Sequence, residues 1–150
     1  MHSASVEQNR HPLDTYYVTY YARHVPRRAT RDAFDSVAYA DLLIETVDWS
    51  RARERGHDPA TRSLRGGGYD VPAEHATEAV FDQAALLYDS GSRSGETIEV
   101  LGYSHAARRV LRVLLRPKDQ PASGEWWGET AWVAGARFRQ MYYDNGGTHE

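Results

Sequence analysis

Two β-strands joined by a hairpin are predicted by the stretch TIEVLGYSHAARRVLRVLLR, residues 97–116. Its two apolar runs, 97–103 and 108–116, are separated by four residues that suit a hairpin loop. Within the second run, alternation with a period of two separates two faces. Arg109 closes a core face that also carries Leu111, Val113 and Leu115. The opposite face is a row of arginines with aliphatic spacers, and it should stay at least partly exposed: Arg108, Val110, Arg112, Leu114 and Arg116.

The residues after the hairpin predict a third strand and a short C-terminal helix. The strand, roughly 126–133, contains three of the four tryptophans. At helical spacing, a helix over about 134–143 would place four apolar residues in one narrow arc: Ala134, Phe138, Met141 and Tyr142. Arg137 and Arg139 flank that arc. The arc is therefore interpreted as core, and Tyr143 is expected to point away from it.

A further helix is predicted from VPAEHATEAVFDQ, residues 71–83. Pro72 suits the first turn, and Glu74 complements the positive end of the helix dipole. A face of small residues would allow close packing on a sheet: Ala76, Ala79, Val80 and Ala84. The preceding residues, 51–70, are polar and include three successive glycines, so they predict a flexible loop. These glycines lack the strand and helix that frame a phosphate-binding loop.

The N-terminal third is expected to be an extension, residues 1–46. Its segment TYYVTYY, residues 15–21, favours a strand, although the tyrosine spacing also fits a helix. Residues 31–46 have the periodicity of an amphipathic helix. We expect the extension to add a strand to a neighbouring sheet or to form a dimer arm. Nucleic-acid binding is the alternative, because tyrosines and arginines are interleaved there.

Composition excludes several kinds of chemistry. The chain has no cysteine, which removes disulfides, thiolate metal sites and cysteine nucleophiles. Lys118 is the single lysine, so a phosphate loop with its lysine is absent. No apolar run approaches the roughly 18 residues of a membrane span, and a cytoplasmic protein is expected. The net charge is −3, yet residues 101–145 carry seven basic against four acidic residues. That third permits a nucleic-acid surface.

Together these elements predict an α+β fold with a small antiparallel sheet of three or four strands, helices on one face and a short C-terminal helix. In that order, residues 47–143 resemble the BrnT-like branch of the RelE-type toxins, in a divergent, actinobacterial form. The matching segments are VDWSRAR at 47–53, YDVPAEHATEAVFDQ at 69–83, EVLGYSHAARRVLRVLL at 99–115 and TAWVAGARFRQMYY at 130–143. Three features depart from the family: Trp132 replaces an expected arginine, the net charge is negative, and residues 1–46 have no counterpart.

The resemblance implies a toxin domain over residues 47–145 and the function of a toxin in a bacterial toxin–antitoxin pair. The implied activity is metal-independent cleavage of RNA, with no cofactor. The implied partners are RNA and a cognate antitoxin, and the extension could join copies of the chain into a homo-oligomer. The alternative is a non-catalytic module of the same fold that binds protein or nucleic acid.

The site residues implied for that activity are arginines at the hairpin end and at the start of the last helix. Arginine suits them because its planar fork binds phosphate and stays charged. Arg109, Arg137, Arg139 and His105 are the expected catalytic residues, and Arg108, Arg112, Trp132 and Tyr143 are the expected RNA contacts. Trp132 could instead be a core aromatic, and any one of the arginines or histidines could simply be solvated. His75 and Glu78 lie one turn apart, but two ligands do not make a metal site, and no metal is expected.

Overall fold

The computed structural model describes the backbone of residues 8–11, 14–24 and 27–28, together with residues 43–65, 68–89, 97–120 and 122–148. The elements in chain order are β1 (Gln8–His11), β2 (Asp14–His24), β3 (Arg27–Arg28), β4 (Ile44–Asp48), α1 (Ser50–Glu54), a 3₁₀ segment (Pro59–Arg65), α2 (Ala73–Val80), β5 (Leu86–Asp89), β6 (Ile98–Ser104), β7 (Arg109–Pro117), β8 (Glu125–Val133) and α3 (Ala136–Asp144). No helix among the described residues is long and apolar enough to span a membrane.

The strands form one mixed sheet in the order β1-β2-β4-β8-β7-β6-β5-β3. β5, β6, β7 and β8 pair antiparallel, whereas β4 runs parallel to β8 with Val47 opposite Trp126. The α+β class is therefore confirmed. The prediction of three or four antiparallel strands is wrong, because five strands from β4 to β8 form the centre and one of their pairings is parallel. The extra strand, IETVD, is rich in β-branched residues, which favour a pleated surface.

Helices pack on both faces of the sheet, not on one face as predicted. On one face α2 covers the aliphatic side of β7, with Leu111, Val113 and Leu115 in a buried cluster that also contains Ala76 and Ala79 of the helix. On the other face α3 covers Val110, Leu101 and Tyr103 with Phe138, Met141 and Tyr142. The arginine-rich face of β7 therefore has an apolar end, at Val110, on which α3 can pack.

The small-residue face of α2 lies directly against β6, as its composition predicts. A Cβ added at Gly102 would stand 1.7 Å from the carbonyl oxygen of Ala79. Nearby, the Trp49 indole nitrogen donates a buried hydrogen bond of 2.9 Å to Thr77 Oγ1. The helix is thus held at backbone contact distance from the sheet.

Most predicted elements are confirmed. Residues 15–21 lie within β2, the two hairpin strands are β6 and β7, and the strand after the hairpin is β8. The helices predicted over residues 71–83 and 134–143 are α2 and α3. The flexible loop predicted over 51–70 is wrong for its first part, since α1 and the 3₁₀ segment lie there. Residues 31–42 of the predicted N-terminal helix lie outside the described residues, and residues 44–46 of that prediction belong instead to β4.

The single lysine forms an ion pair between the ends of β4 and β7. Lys118 Nζ lies 3.0 Å from Asp48 Oδ2 and 4.2 Å from the ring centroid of Trp127. Burial alone would raise the pKa of the Asp48 carboxyl. Hydrogen bonds from Ser50 and the ion pair with Lys118 outweigh that burial, so the pKa of Asp48 lies below its ordinary value. Lys118 is therefore committed to a structural ion pair.

Candidate functional site

An open cleft of about 420 Å³ lies at the turn end of the β6–β7 hairpin, and we call it the arginine cleft. Three arginines and three tyrosines contribute to its lining, and none of its lining residues is acidic. The lining comes from the loop before α2, from the hairpin, from the end of β8 and from α3: Tyr69, Tyr103, Arg108, Arg109, Val110, Val133, Ala134, Arg139 and Tyr143. The cleft is thus cationic and aromatic together.

The backbone of the hairpin turn places two arginines side by side at the cleft. Arg109 is the first residue of β7, and Arg108 precedes it in the turn with φ of 57°. This left-handed conformation favours glycine, and it costs an arginine free energy. An arginine thus occupies a position whose backbone conformation favours glycine. Backbone strain of this kind is found at functional positions.

Glu78 of α2 fixes the shape of that turn. Its Oε1 accepts hydrogen bonds from Ser104 Oγ at 2.6 Å and from the Ala106 backbone nitrogen at 3.0 Å. Ser104 Oγ in turn accepts from the Ala107 backbone nitrogen at 3.1 Å. These hydrogen bonds link the turn to α2, which packs on the sheet. They therefore fix the positions of Arg108 and Arg109 relative to the hydrophobic core.

Asp82 positions the α3 side of the cleft. Its carboxylate accepts from the Tyr103 backbone nitrogen at 2.9 Å and from the Tyr142 hydroxyl. The carboxylate thus links β6 to the C-terminal helix. Arg139 lies one turn earlier on that helix and donates to the carbonyl of Ala134 at 3.1 Å, and Tyr143 follows Tyr142 directly.

The charge of the cleft is not neutralised by neighbours. Among the described residues, no carboxylate pairs with Arg108 or Arg109. The other two arginines of β7 are paired, Arg112 with Glu99 and Arg116 with Glu129, each at 2.6 Å. The hairpin therefore carries two arginines in ion pairs along its length, Arg112 and Arg116. At its turn end, Arg108 and Arg109 have no ion pair with a described carboxylate.

Tyr69 is a cleft residue that the sequence analysis missed. Its side chain is 67% exposed, and the Arg109 guanidinium lies 5.0 Å from the centroid of its ring. A lone large aromatic in the glycine-rich segment GGGYD was the available signal.

The structure brings four of the eight predicted site residues together and leaves four outside the cleft lining. Arg108, Arg109, Arg139 and Tyr143 line the cleft. Arg137 is exposed on α3 but does not line it. His105 is exposed in the hairpin turn, with its ring edge-on to Tyr103 at 5.2 Å. The remaining two, Arg112 and Trp132, contact each other elsewhere on the sheet.

Trp132 is half-buried and is covered by cations. The guanidinium groups of Arg62 and Arg112 lie 5.0 and 4.9 Å from its ring centroid. Arg62 Nε also donates to the carbonyl of Ala131 at 3.1 Å, so the 3₁₀ segment is held against the edge of β8. The partly exposed arginine face of β7 is confirmed, but at Arg112 it packs on Trp132 and on Phe138, whose centroid is 4.0 Å away. Cation–π packing thus occupies the surface where a base could have stacked.

A second cavity of about 310 Å³ adjoins the arginine cleft. The two share Tyr69, Arg109 and Val133. Since His75 of α2 also lines it, we call it the histidine cavity. In the part of the chain that the structure describes, no three His, Asp or Glu side chains are grouped so as to hold a metal ion.

With the fold and the cleft described, the chain was compared with known proteins. No family model, no curated protein and no solved structure matches it. The residues of the cleft are therefore the basis on which a function can be assigned.

Proposed function

We propose that the arginine cleft binds the phosphodiester backbone of RNA and that the chain cleaves RNA there without a metal ion, as the toxin of a toxin–antitoxin pair. One observation carries the proposal: three arginines meet at the cleft with no acidic residue in its lining. Guanidinium forks bind phosphate oxygens through paired hydrogen bonds, and arginine remains charged at every physiological pH. The neighbouring tyrosines offer rings on which bases can stack.

The reaction would use the ribose 2′-oxygen as nucleophile. That oxygen attacks the adjacent phosphorus, the bond from phosphorus to the 5′-oxygen breaks, and the products are a 2′,3′-cyclic phosphate and a 5′-hydroxyl. One proton passes from the 2′-hydroxyl to solvent water, and one is delivered to the 5′-oxygen. Negative charge grows on the phosphate during the attack, and Arg108, Arg109 and Arg139 are placed to stabilise it. Tyr143 carries the hydroxyl that we propose as proton donor.

A non-catalytic binding module is the second candidate. It is favoured by one observation: neither a histidine nor a carboxylate lines the arginine cleft, and His105 lies outside its lining. Such a module would keep the phosphate contacts and lack a strong proton acceptor. In both candidates the cleft residues lie within the expected domain, residues 47–145, and residues 1–46, of which 44–46 belong to β4, are proposed to join copies of the chain.

Measurements of RNA cleavage and of RNA binding by the purified protein, both with a chelator present, distinguish these two candidate functions. Arg109→Ala and Arg139→Ala should each lose cleavage about 10²-fold or more, because each removes a group that stabilises the transition state. Arg137→Ala is the matched control, since Arg137 is exposed on the same helix outside the cleft lining. Binding without cleavage would establish the module, and absence of both would refute RNA as the ligand.

Toxicity is tested in cells. Induced expression without a partner protein should arrest growth and fragment RNA, and Arg109→Ala should relieve both effects at equal protein level. Normal growth with abundant folded wild-type protein would contradict the toxin assignment.

A further inference from the structure

The arginine cleft and the histidine cavity adjoin, and together we call them a two-lobed groove. They share three lining residues, and two of these, Tyr69 and Arg109, contact each other through ring and guanidinium. Volumes of about 420 and 310 Å³ are each at the lower end of small-molecule sites, which span about 300–1,000 Å³. Two neighbouring lobes of this size suit a ligand made of two small groups joined by a linker better than one large, compact ligand.

Arg109 lies where the two lobes meet. A phosphate bound by its guanidinium would have one lobe on each side. In RNA the group with a nucleoside on each side is the phosphodiester that links two consecutive nucleotides. The shared position of Arg109 therefore places the linking phosphate, and the two nucleosides would extend into the two lobes.

The histidine cavity has the chemistry of a base site. Tyr69 offers an exposed ring for stacking, and His75 offers a donor and an acceptor on one imidazole. No described residue makes a hydrogen bond to the His75 side chain. The neighbouring Asp70 is engaged, since its carboxylate accepts from the backbone nitrogen of Ser63 at 2.7 Å and from its hydroxyl at 3.0 Å. His75 is thus the polar group left to read a base edge.

We propose that the histidine cavity is a second nucleotide subsite and that the groove takes two consecutive nucleotides of single-stranded RNA. The base in this subsite stacks on Tyr69 and hydrogen-bonds to His75, while the linking phosphate binds Arg109. A base within a duplex cannot enter, because it is stacked between its neighbours and its pairing edge is occupied. The inference rests on the proposed RNA-binding function.

The test is equilibrium binding of a fluorescent 2′-O-methyl hexaribonucleotide, which cannot be cleaved because its 2′-oxygens are blocked. The ligands compared with it are the same strand in a duplex and a nucleoside 3′,5′-bisphosphate, which fills one lobe. We expect Tyr69→Ala to weaken hexamer binding about tenfold, since one stacked base is lost, and Tyr69→Phe to keep it. His75→Ala should also weaken it, His75→Gln should restore part of the loss, and bisphosphate binding in the arginine cleft should stay unchanged in the two His75 variants, because His75 does not line that cleft.

Leu64→Ala is the matched surface control, because Leu64 is 83% exposed and lines neither lobe. Melting curves establish that each variant is folded. If wild-type protein binds the hexamer and Arg139→Ala weakens it, the RNA-binding part of the proposed function stands. If Tyr69→Ala and His75→Ala then bind the hexamer like wild type, or the duplex binds as tightly, the second subsite is refuted alone. If wild-type protein does not bind the hexamer, the proposed function itself fails.

Discussion

Replacing Arg108 by glycine should make the protein more stable and its RNA binding weaker. Arg108 has φ of 57°, a conformation that costs an L-residue roughly 1–2 kcal/mol. Glycine avoids that cost. A glycine also makes the unfolded chain more flexible, so folding loses more conformational entropy, which offsets about 0.5–1 kcal/mol. The net gain is therefore about 0–1.5 kcal/mol, and for a chain of this length it raises Tm by up to about 6 °C.

The same substitution removes one cation from the arginine cleft. If Arg108 contacts a phosphate, the slope of log K against log salt should fall in magnitude by about 0.7, the value for one contact on a single strand. Thermal melting and a salt titration of RNA binding measure the two effects on one protein sample. Arg108→Lys is the control, since it keeps the charge and the strained backbone. Wild-type affinity and slope in Arg108→Gly would refute the phosphate contact, and a lower Tm would refute the backbone argument.

Further substitutions test the core and the ion pairs. Gly102→Ala should lower stability by about 1–3 kcal/mol in denaturant titrations, because the new Cβ would meet the α2 backbone at 1.7 Å; unchanged stability would contradict the packing described. Asp48 has a lowered pKa, so its contribution to stability is complete above its unfolded pKa of about 3.9 and is lost as pH falls through the folded value. Lys118→Met should therefore lower Tm at neutral pH and reduce the acid-induced loss of Tm, and an unchanged profile would refute the coupling. Glu99→Ala removes the carboxylate that pairs with the half-buried Arg112 and should cost about 1–3 kcal/mol, whereas no loss would refute a stabilising role for this ion pair.

The hairpin and α3 could be predicted because one local pattern determines each of them. In β7 the period-two alternation matches the observed burial of Leu111, Val113 and Leu115. In α3 the helical arc matches the packing of Phe138 and Tyr142. Both patterns lie within a single element, so neither needs knowledge of distant contacts.

The parallel strand β4 could not be predicted in the same way. Ile44 and Val47 continue an apolar pattern that fits a helix as well as a strand, and short apolar runs leave that choice open. The choice is made by β8, about 80 residues later, since Val47 pairs with Trp126 and the Trp126 indole nitrogen donates to the carbonyl of Leu43 at 2.9 Å. A partner this distant leaves no local signal.

The division of arginines along the hairpin explains how a chain with net charge −3 can carry a cationic cleft. In the register of the sheet, Arg112 lies opposite Leu101 and reaches diagonally to Glu99, while Arg116 lies opposite Trp127 and reaches diagonally to Glu129. Diagonal neighbours lie within reach of long side chains, so an acid two residues along the next strand is enough for pairing.

Arg108 and Arg109 are beyond the last such position. Arg109 is opposite Ser104 at the end of β6, and β8 ends at Val133, which is opposite Leu111. Neither neighbouring strand supplies an acid there, and Glu78, the carboxylate that reaches the turn among the described residues, is already hydrogen-bonded to Ser104 and Ala106. Acidic residues elsewhere in the described part of the chain change the net charge without pairing with Arg108 or Arg109. The cleft is therefore cationic because of where β6 and β8 end, and inserting an acid at its rim should weaken RNA binding more than any change in the overall charge.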